Sequence, residues 1–274
     1  MAGRPRCISD ESACGLSDVE ARCCTYAPTR SAAPVCRCRA TACSVYCHRR
    51  VDRTVQIYSL EGKNTRTVNS LLCKIGERLF PSIYWRTHNH ALHLTFDDGP
   101  NPEVTPQVLD VLATRNARAT FFLVGKNVQK YSDLTRRIAS EGHAVGNHTF
   151  THPLLFFRSR RFQLDEVVRA DEVIEEAIGT KPVWFRPPYG YFDSRTLSVA
   201  KQTEHRLVFW DVDSQDYRDA TGAAIARRVL KKAETGSILL LHDNYATKNK
   251  IVDILNLLFD GLEERGIRLN PRLP

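Results

Sequence analysis

From about residue 88, short apolar runs alternate with longer segments of helical periodicity. "ALHLTF" (91–96) precedes "EVTPQVLDVLATR" (103–115), and "ATFFLVG" (119–125) precedes "SDLTRRIASEG" (132–142). "HAVGNH" (143–148) leads to "FQLDEVVRADEVIEEAIG" (162–179), and "PVWFRPP" (182–188) to "SRTLSVAKQT" (194–203). "RLVFWDV" (206–212) leads to "GAAIARRVLKKAETG" (222–236), "SILLLHD" (237–243) to "IVDILNLLFDGLEERG" (251–266), and a short "IRLN" follows. The first member of each pair is apolar on both faces, as strands of a covered parallel sheet are. The second closes repeatedly on Gly (Gly142, Gly179, Gly236, Gly266), as helices do. Six or seven βα units predict an α/β domain with a right-handedly wound parallel sheet, open or closed into a barrel.

In such folds chemistry gathers at the carboxyl ends of the strands. Here those ends are polar. The first strand ends in Asp97-Asp98-Gly99-Pro100, and the third in His148 with His152 four residues on. "VWF" runs into Arg186-Pro187-Pro188-Tyr189-Gly190, "LVFWDV" into Asp213-Ser214-Gln215-Asp216-Tyr217, and "ILLL" into His242-Asp243. Five strands deliver ionisable groups to one end of a sheet, which predicts an active site. An Asp with two His is a mixed oxygen and nitrogen ligand set, and three protein ligands leave a position for water, as in catalytic zinc sites. Pro153 disfavours helical geometry at His152, so a tight loop or single turn is expected there. Successive strand residues face opposite sides, so Asp97 and Asp98 are free to divide their tasks, one to a metal and one to a proton.

Composition changes the picture mainly at the amino terminus. The chain has 274 residues, 42% hydrophobic and 26% charged, an ordinary globular balance. Eight of its nine Cys (Cys7, Cys14, Cys23, Cys24, Cys36, Cys38, Cys43 and Cys47) lie in the first 47 residues. Residues 1–55 also hold nine Arg against five acids, half of the formal net charge of +8. The remaining excess is thin and reads as solvated surface, not as a nucleic-acid footprint. Residues 1–69 are expected to be a disordered leader, or upstream sequence that is not truly part of the protein, with residues 70–274 forming the folded domain. A metal-binding segment is one alternative. A disulfide module is another: the CC pair and terminal C-x3-C resemble the hevein-like chitin-binding framework. Cys73 reads as a small buried apolar residue. No apolar run reaches the ~18–20 residues of a membrane span, and "MAGRPRCISDESACG" lacks the apolar core of a secretory signal. The expected location is therefore cytoplasmic.

The five strand-end motifs together, "TFDDGP" (95–100), "HTFTH" (148–152), "RPPYG" (186–190), "DSQDY" (213–217) and "LLLHD" (239–243), resemble the polysaccharide deacetylases. This is the NodB-homology domain of carbohydrate esterase family 4, and the likeness spans about residues 91–270. It implies a distorted (β/α) barrel. By resemblance, Asp98, His148 and His152 bind one divalent metal ion, usually Zn2+, with Co2+ or Ni2+ able to serve. Asp97 is the general base, oriented by Arg186, and His242 is the general acid, aimed by Asp216. The Tyr189 N–H helps hold the oxyanion, and Leu240 lines the acetyl pocket. Tyr217 stands where the family usually has Trp, and Trp210 is near enough in sequence to compensate. The implied activity is removal of N-acetyl groups from a GlcNAc-containing glycan such as chitin oligomers or peptidoglycan. An O-acetyl esterase of xylan or another glycan is the rival within that chemistry, and a non-catalytic glycan-binding domain is the rival outside it. The family also acts commonly on the cell envelope, which makes an envelope or secreted location the alternative. Oligomeric state is left open.

Overall fold

The computed structural model describes residues 78–88, 91–269 and 273. The Cys-rich leader and Cys73 lie outside the described residues. Seven parallel strands form one sheet: β1 (His93–Asp97), β2 (Thr120–Leu123), β3 (Ala144–Asn147), β4 (Trp184–Phe185), β5 (Arg206–Leu207), β6 (Val212–Asp213) and β7 (Ile238–His242). Their order is β5-β4-β3-β2-β1-β7-β6. Among the described residues, the α-helices that follow the strands are α1 (Thr105–Thr114), α2 (Gly125–Lys130), α3 (Ser132–Ser140), α4 (Arg160–Ile178), α5 (Ser194–Gln202), α6 (Gly222–Leu230) and α7 (Ile251–Glu264). None is long and apolar enough to cross a membrane.

One difference from the sequence reading defines the architecture. The run 206–212 is not one strand: it splits into β5 and β6, which lie at opposite edges of the sheet. Laid flat, seven strands at ~4.8 Å spacing would span about 29 Å. The five-residue step from Leu207 to Val212 reaches about 18 Å at most. The sheet must therefore curl until its edges nearly meet, which is the distorted barrel. Residues 208 and 209 cross the gap without a neighbouring strand's full ladder. Val208 bridges Tyr84, and the guanidinium of Arg186 donates to the carbonyls of Val208 (3.1 Å) and Phe209 (3.0 Å). A buried cation from the site thus satisfies acceptors that a continuous strand would have paired.

Strand alternation divides the core in two. Leu94, Phe96, Phe121, Leu123, Leu239 and Leu241 face the helices and pack with Val108, Leu112, Ile254 and Leu258. Phe122, Ile238 and Leu240 join Trp184, Phe209 and Trp210 in a second buried cluster on the other face. The period of two that gives Leu94 and Phe96 to the helices leaves Thr95 and Asp97 on that inner face. The longest helix, α4, starts on the Ser159 hydroxyl, which accepts from the Phe162 N–H, and stops at Gly179 (φ 76°), a left-handed cap that a side chain would strain. Two helical boundaries differ from the pattern. The six-residue α2 is too short to show periodicity, and α6 ends at Leu230, where the N–H groups of Lys232 and Ala233 donate to the Val229 carbonyl and that of Glu234 to the Ser237 hydroxyl.

Candidate active site

Register brings the strand ends into one row. Asp97 of β1 sits directly beside His242 of β7, and beside Phe122 of β2 on its other side. Arg186, just past β4, is wholly buried, and its Nη1 donates to Asp97 Oδ1 at 2.7 Å and to Thr95 Oγ1 at 2.8 Å. The guanidinium lies 4.1 Å from the Phe122 ring centroid and 5.4 Å from that of Trp210. Burial lowers its pKa, opposed by the Asp97 charge. Arg186 is thus fixed on every side, and it fixes one Asp97 oxygen, leaving Oδ2 turned toward His148 (Nε2 at 3.7 Å).

Asp98 does not follow the alternation expected of a strand residue. Its φ is 79°, so the chain breaks to the left-handed region directly after β1. Both carboxylates consequently converge on one spot: Asp98 Oδ1 lies 3.6 Å from His148 Nε2, alongside the 3.7 Å contact of Asp97. The two carboxylates differ in their surroundings because of this bend and the Arg186 clamp, not because they point to opposite strand faces. His152 Nε2 lies 3.1 Å from the same Asp98 oxygen.

Asp98, His148 and His152 form a group whose ligand atoms all lie within 4.8 Å of one another. Ligands held about 2.0–2.1 Å from a tetrahedral zinc lie about 3.3 Å apart, and the 3.1 and 3.6 Å separations bracket that spacing. The donor chemistry also fits. His148 Nδ1 lies 2.6 Å from the Arg186 carbonyl. A carbonyl only accepts, so Nδ1 carries the hydrogen and Nε2 presents its lone pair to the site. Burial lowers the pKa of His148 to about 4 despite the nearby carboxylates, which keeps the ring neutral as a ligand must be. Burial alone would raise the Asp98 carboxyl, but His152, with His242 and His148 behind it, holds it well below the usual range. Burial pushes His152 down, and the charge and hydrogen bond of Asp98 more than reverse this.

On the other flank, His242 Nδ1 donates to Asp216 Oδ1 at 2.7 Å, while Asp216 Oδ2 accepts the His242 N–H at 2.8 Å. Burial disfavours the imidazolium, but the charge and hydrogen bond of Asp216 outweigh it and raise the pKa to about 10. The Tyr217 ring stands edge-on to His242 at 5.6 Å. Tyr189 has φ 62° and its ring meets His152 edge-on at 4.8 Å. Leu240 and Trp210 lie buried beneath the site, and a Cβ on Gly190 would fall 2.7 Å from the Trp210 ring. Trp210 therefore packs under the "RPPYG" turn, whereas Tyr217 flanks His242.

Several supporting residues escape the motif reading. Helix α2 and its approach join the two ligand loops. Val124 and Gly125 N–H groups donate to the carbonyls of Gly99 and Thr149, and Lys126 N–H to Phe150 (all 2.9 Å). Asn127 Nδ2 donates to the Asp98 carbonyl at 2.8 Å. Glu166 of α4 accepts from the N–H groups of Phe150 (3.1 Å) and Thr151 (2.7 Å) and from the Thr151 hydroxyl (2.8 Å). Asn147 accepts the Thr149 N–H at 2.7 Å and donates to Asp171. The tight loop expected at 148–152 is present, with Thr149 (φ 66°) and His152 (φ 57°) both left-handed. Asn244 donates to Asp98 Oδ2 at 2.7 Å. Asp243, the last residue of the fifth motif, is fully buried instead of facing the site. It accepts from the Thr105 hydroxyl at 2.5 Å and lies so close to Gly99 that no Cβ fits between them. Burial raises its pKa well above the ordinary carboxyl value. A signal for Glu166 and Asp171 existed: both are acids inside the buried stripe of α4, among Val167, Ala170 and Ile174.

The curled parallel sheet carries at its strand ends a group of residues able to hold a metal ion, set between an arginine-clamped carboxylate and a carboxylate-bound imidazole. A family model, Polysaccharide deacetylase, matches residues 86–208. A peptidoglycan-N-acetylglucosamine deacetylase of Bacillus cereus is 36% identical over 176 residues, 64% of this chain and 64% of that protein, so the match leaves over a third of that relative unaligned. A chitooligosaccharide deacetylase of a Bradyrhizobium species is 36% identical over 193 residues, covering 66% of this chain and 88% of the relative. A crystal structure of a peptidoglycan N-acetylglucosamine deacetylase superposes with a TM-score of 0.67 at 33% identity, covering 69% of this chain and 90% of that one. The chain belongs to the polysaccharide deacetylase family.

Proposed function

We propose that the protein hydrolyses N-acetyl groups on a GlcNAc-containing polysaccharide, chitin oligomers or peptidoglycan, with one divalent metal ion, zinc foremost. The observation that carries the reading is the convergence of Asp98, His148 and His152 between Arg186-clamped Asp97 and Asp216-bound His242. The activities named for the relatives support it.

An amide is a weak electrophile with a poor leaving group, so its hydrolysis needs help at three points. Asp98, His148 and His152 would hold the metal. When bound there, the ion supplies a Lewis acid that acidifies water and polarises a carbonyl. Asp97 takes the proton of the attacking water at Oδ2; its Oδ1 is committed to Arg186, so a single oxygen faces the site. The Tyr189 N–H donates to the oxyanion as it develops, an effect typically worth ~10²–10³-fold for one donor. His242 gives the Nε2 proton to the departing nitrogen, and Asp216 holds the opposite ring nitrogen so that Nε2 is presented. Leu240, Trp210 and Tyr217 bound the acetyl pocket.

The test is acetate release from chitooligosaccharides, from peptidoglycan fragments and from acetylated xylan, each with and without chelator. Chelator-sensitive release from the first two is expected; release from xylan alone would favour the O-acetyl esterase, and no release with added zinc would sink the reading. Asp97→Asn is expected to retain metal binding and lose turnover by at least ~10²-fold. Wild-type rates in that variant would refute the assigned base.

A further inference from the structure

Behind the loop that carries His148 and His152 lies a buried polar group that neither the site nor the core accounts for. Asp171 sits on α4, one turn and a half past Glu166, and is 4% exposed. Its Oδ1 accepts from Asn147 Nδ2 at 2.7 Å and lies 3.0 Å from Nε2 of His205, the residue directly before β5. Its Oδ2 faces Lys181 Nζ at 3.7 Å, on the approach to β4. The His205 ring is enclosed: Thr203 Oγ1 lies 2.8 Å from Nδ1, and Phe185 meets it edge-on at 5.9 Å. Neither Asp171 Oδ2 nor His205 Nε2 has an aligned hydrogen bond. Such groups cost free energy, and well-packed apolar side chains in their place are often as stable or more so. Packing alone therefore gives no reason for an Asp and a His at these two positions.

The reason lies one step further along. Asn147 ends β3 and directly precedes His148. Its Nδ2 donates to the Val167 carbonyl at 2.8 Å as well as to Asp171, and a carbonyl and a carboxylate only accept. The amide is thereby locked in one orientation, with Oδ1 turned to the Thr149 N–H at 2.7 Å. Thr149 stands between the two histidines with φ 66°, a conformation that a non-glycine residue keeps only where its surroundings impose it. Its hydroxyl donates to the His148 carbonyl and accepts the His152 N–H at 3.1 Å. An unbroken path of contacts thus runs from His205 through Asp171, Asn147 and Thr149 to both histidines.

We propose that Asp171 and His205 are positioning residues for the metal site. His205 holds the Asp171 carboxylate against Asn147, and Asn147, so oriented, imposes the turn that aims His148 and His152. Their role depends on Asp98, His148 and His152 being the metal ligands, as proposed above. Without the carboxylate the Asn147 amide is free to turn over, which sets its NH2 against the Thr149 N–H, donor against donor. The turn then loses its anchor, although the strands and helices around it keep theirs. Support of this kind behind a ligand is usually worth ~10–100-fold in metal affinity.

The test compares wild type with Asp171→Asn, His205→Leu, His205→Gln and Val229→Ala. Zinc affinity is read by competition against a chromogenic chelator, and ligand geometry by the visible absorption of the cobalt-loaded protein. Val229 lies in the core on the helix side of the sheet, so its truncation lowers stability without touching the path. Asp171→Asn and His205→Leu are expected to weaken zinc binding about tenfold and to shift the cobalt bands. His205→Gln keeps an N–H donor near the Nε2 position and is expected to bind zinc as wild type does. Val229→Ala is expected to melt lower with zinc affinity unchanged. Unchanged affinity and cobalt bands in Asp171→Asn and His205→Leu overturn the proposal. So does a loss in Val229→Ala, or in His205→Gln, as large as that in His205→Leu. If Asp171→Asn or His205→Leu fails to fold, the other decides by the same readings. If wild type itself binds no zinc, the metal reading fails, and amide hydrogen exchange in the metal-free proteins decides the path alone. Faster exchange at Thr149 and His152 in Asp171→Asn and His205→Leu than in wild type and Val229→Ala sustains it; equal exchange overturns it.

Discussion

At the residue scale, the expected pH behaviour rests on His242 and Asp216. The Asp216 carboxylate makes two hydrogen bonds to one residue, one to the ring and one to the backbone N–H. The imidazole is therefore held both in place and in its protonated form, with a pKa of about 10 against an ordinary 6.5. Because the folded value is raised, the pair's contribution to stability is complete below about pH 6.5 and is lost as pH rises through about 10. The proposed acid is accordingly charged across the neutral range, and activity is expected to fall on the alkaline side. Asp216→Asn removes the charge that offsets burial, so the alkaline limb of kcat/KM is expected to move at least one unit lower. A limb that stays in place would show that His242 is not the titrating acid.

Elements matter here less as a scaffold than as wiring. Helix α2 has six residues and no periodic signature, yet residues 124–127 hold both the Asp98 turn and the His148–His152 loop. Helix α4 supplies Glu166, whose two oxygens accept three hydrogen bonds from Phe150 and Thr151, the residues between the two His. A Gln there keeps one acceptor and turns the other position into a donor facing donors. Glu166→Gln is expected to weaken zinc binding ~10–100-fold, the usual penalty for losing support behind a ligand. Competition against a chromogenic chelator would measure it, and unchanged affinity would mean the loop holds its shape without Glu166. These contacts were only partly legible beforehand. Glu166 and Asp171 stand out as acids in an apolar stripe, but their partners, Phe150, Thr151 and Asn147, follow from the packing of α4 against the loop after β3.

At the scale of the whole molecule, metal binding at the proposed site would be linked to folding. The triad draws on the segments after β1 and β3, and the clamp on Asp97 comes from the segment after β4. A ligand that binds only the folded chain stabilises it by about 2.7 kcal/mol at a hundredfold excess over Kd. Zinc is expected to raise the melting temperature of chelator-treated protein, and His152→Ala to abolish most of that rise. An equal shift in the variant would place the metal elsewhere.

The sequence by itself determined the βα alternation, the parallel sheet, and the strand-end positions of Asp97, Asp98, His148, Arg186 and His242. Those features are local: periodicity and turn residues are written in neighbouring positions. Only the tertiary structure decided that 206–212 is two strands at opposite edges, since that depends on where the sheet closes. It also decided that Asp97 and Asp98 face the same spot, because a left-handed residue at Asp98 overrides strand alternation. The burial of Asp243 against Gly99 belongs to the same class: the residue type is visible in the chain, but which neighbour it meets depends on the packing of β7 beside β1.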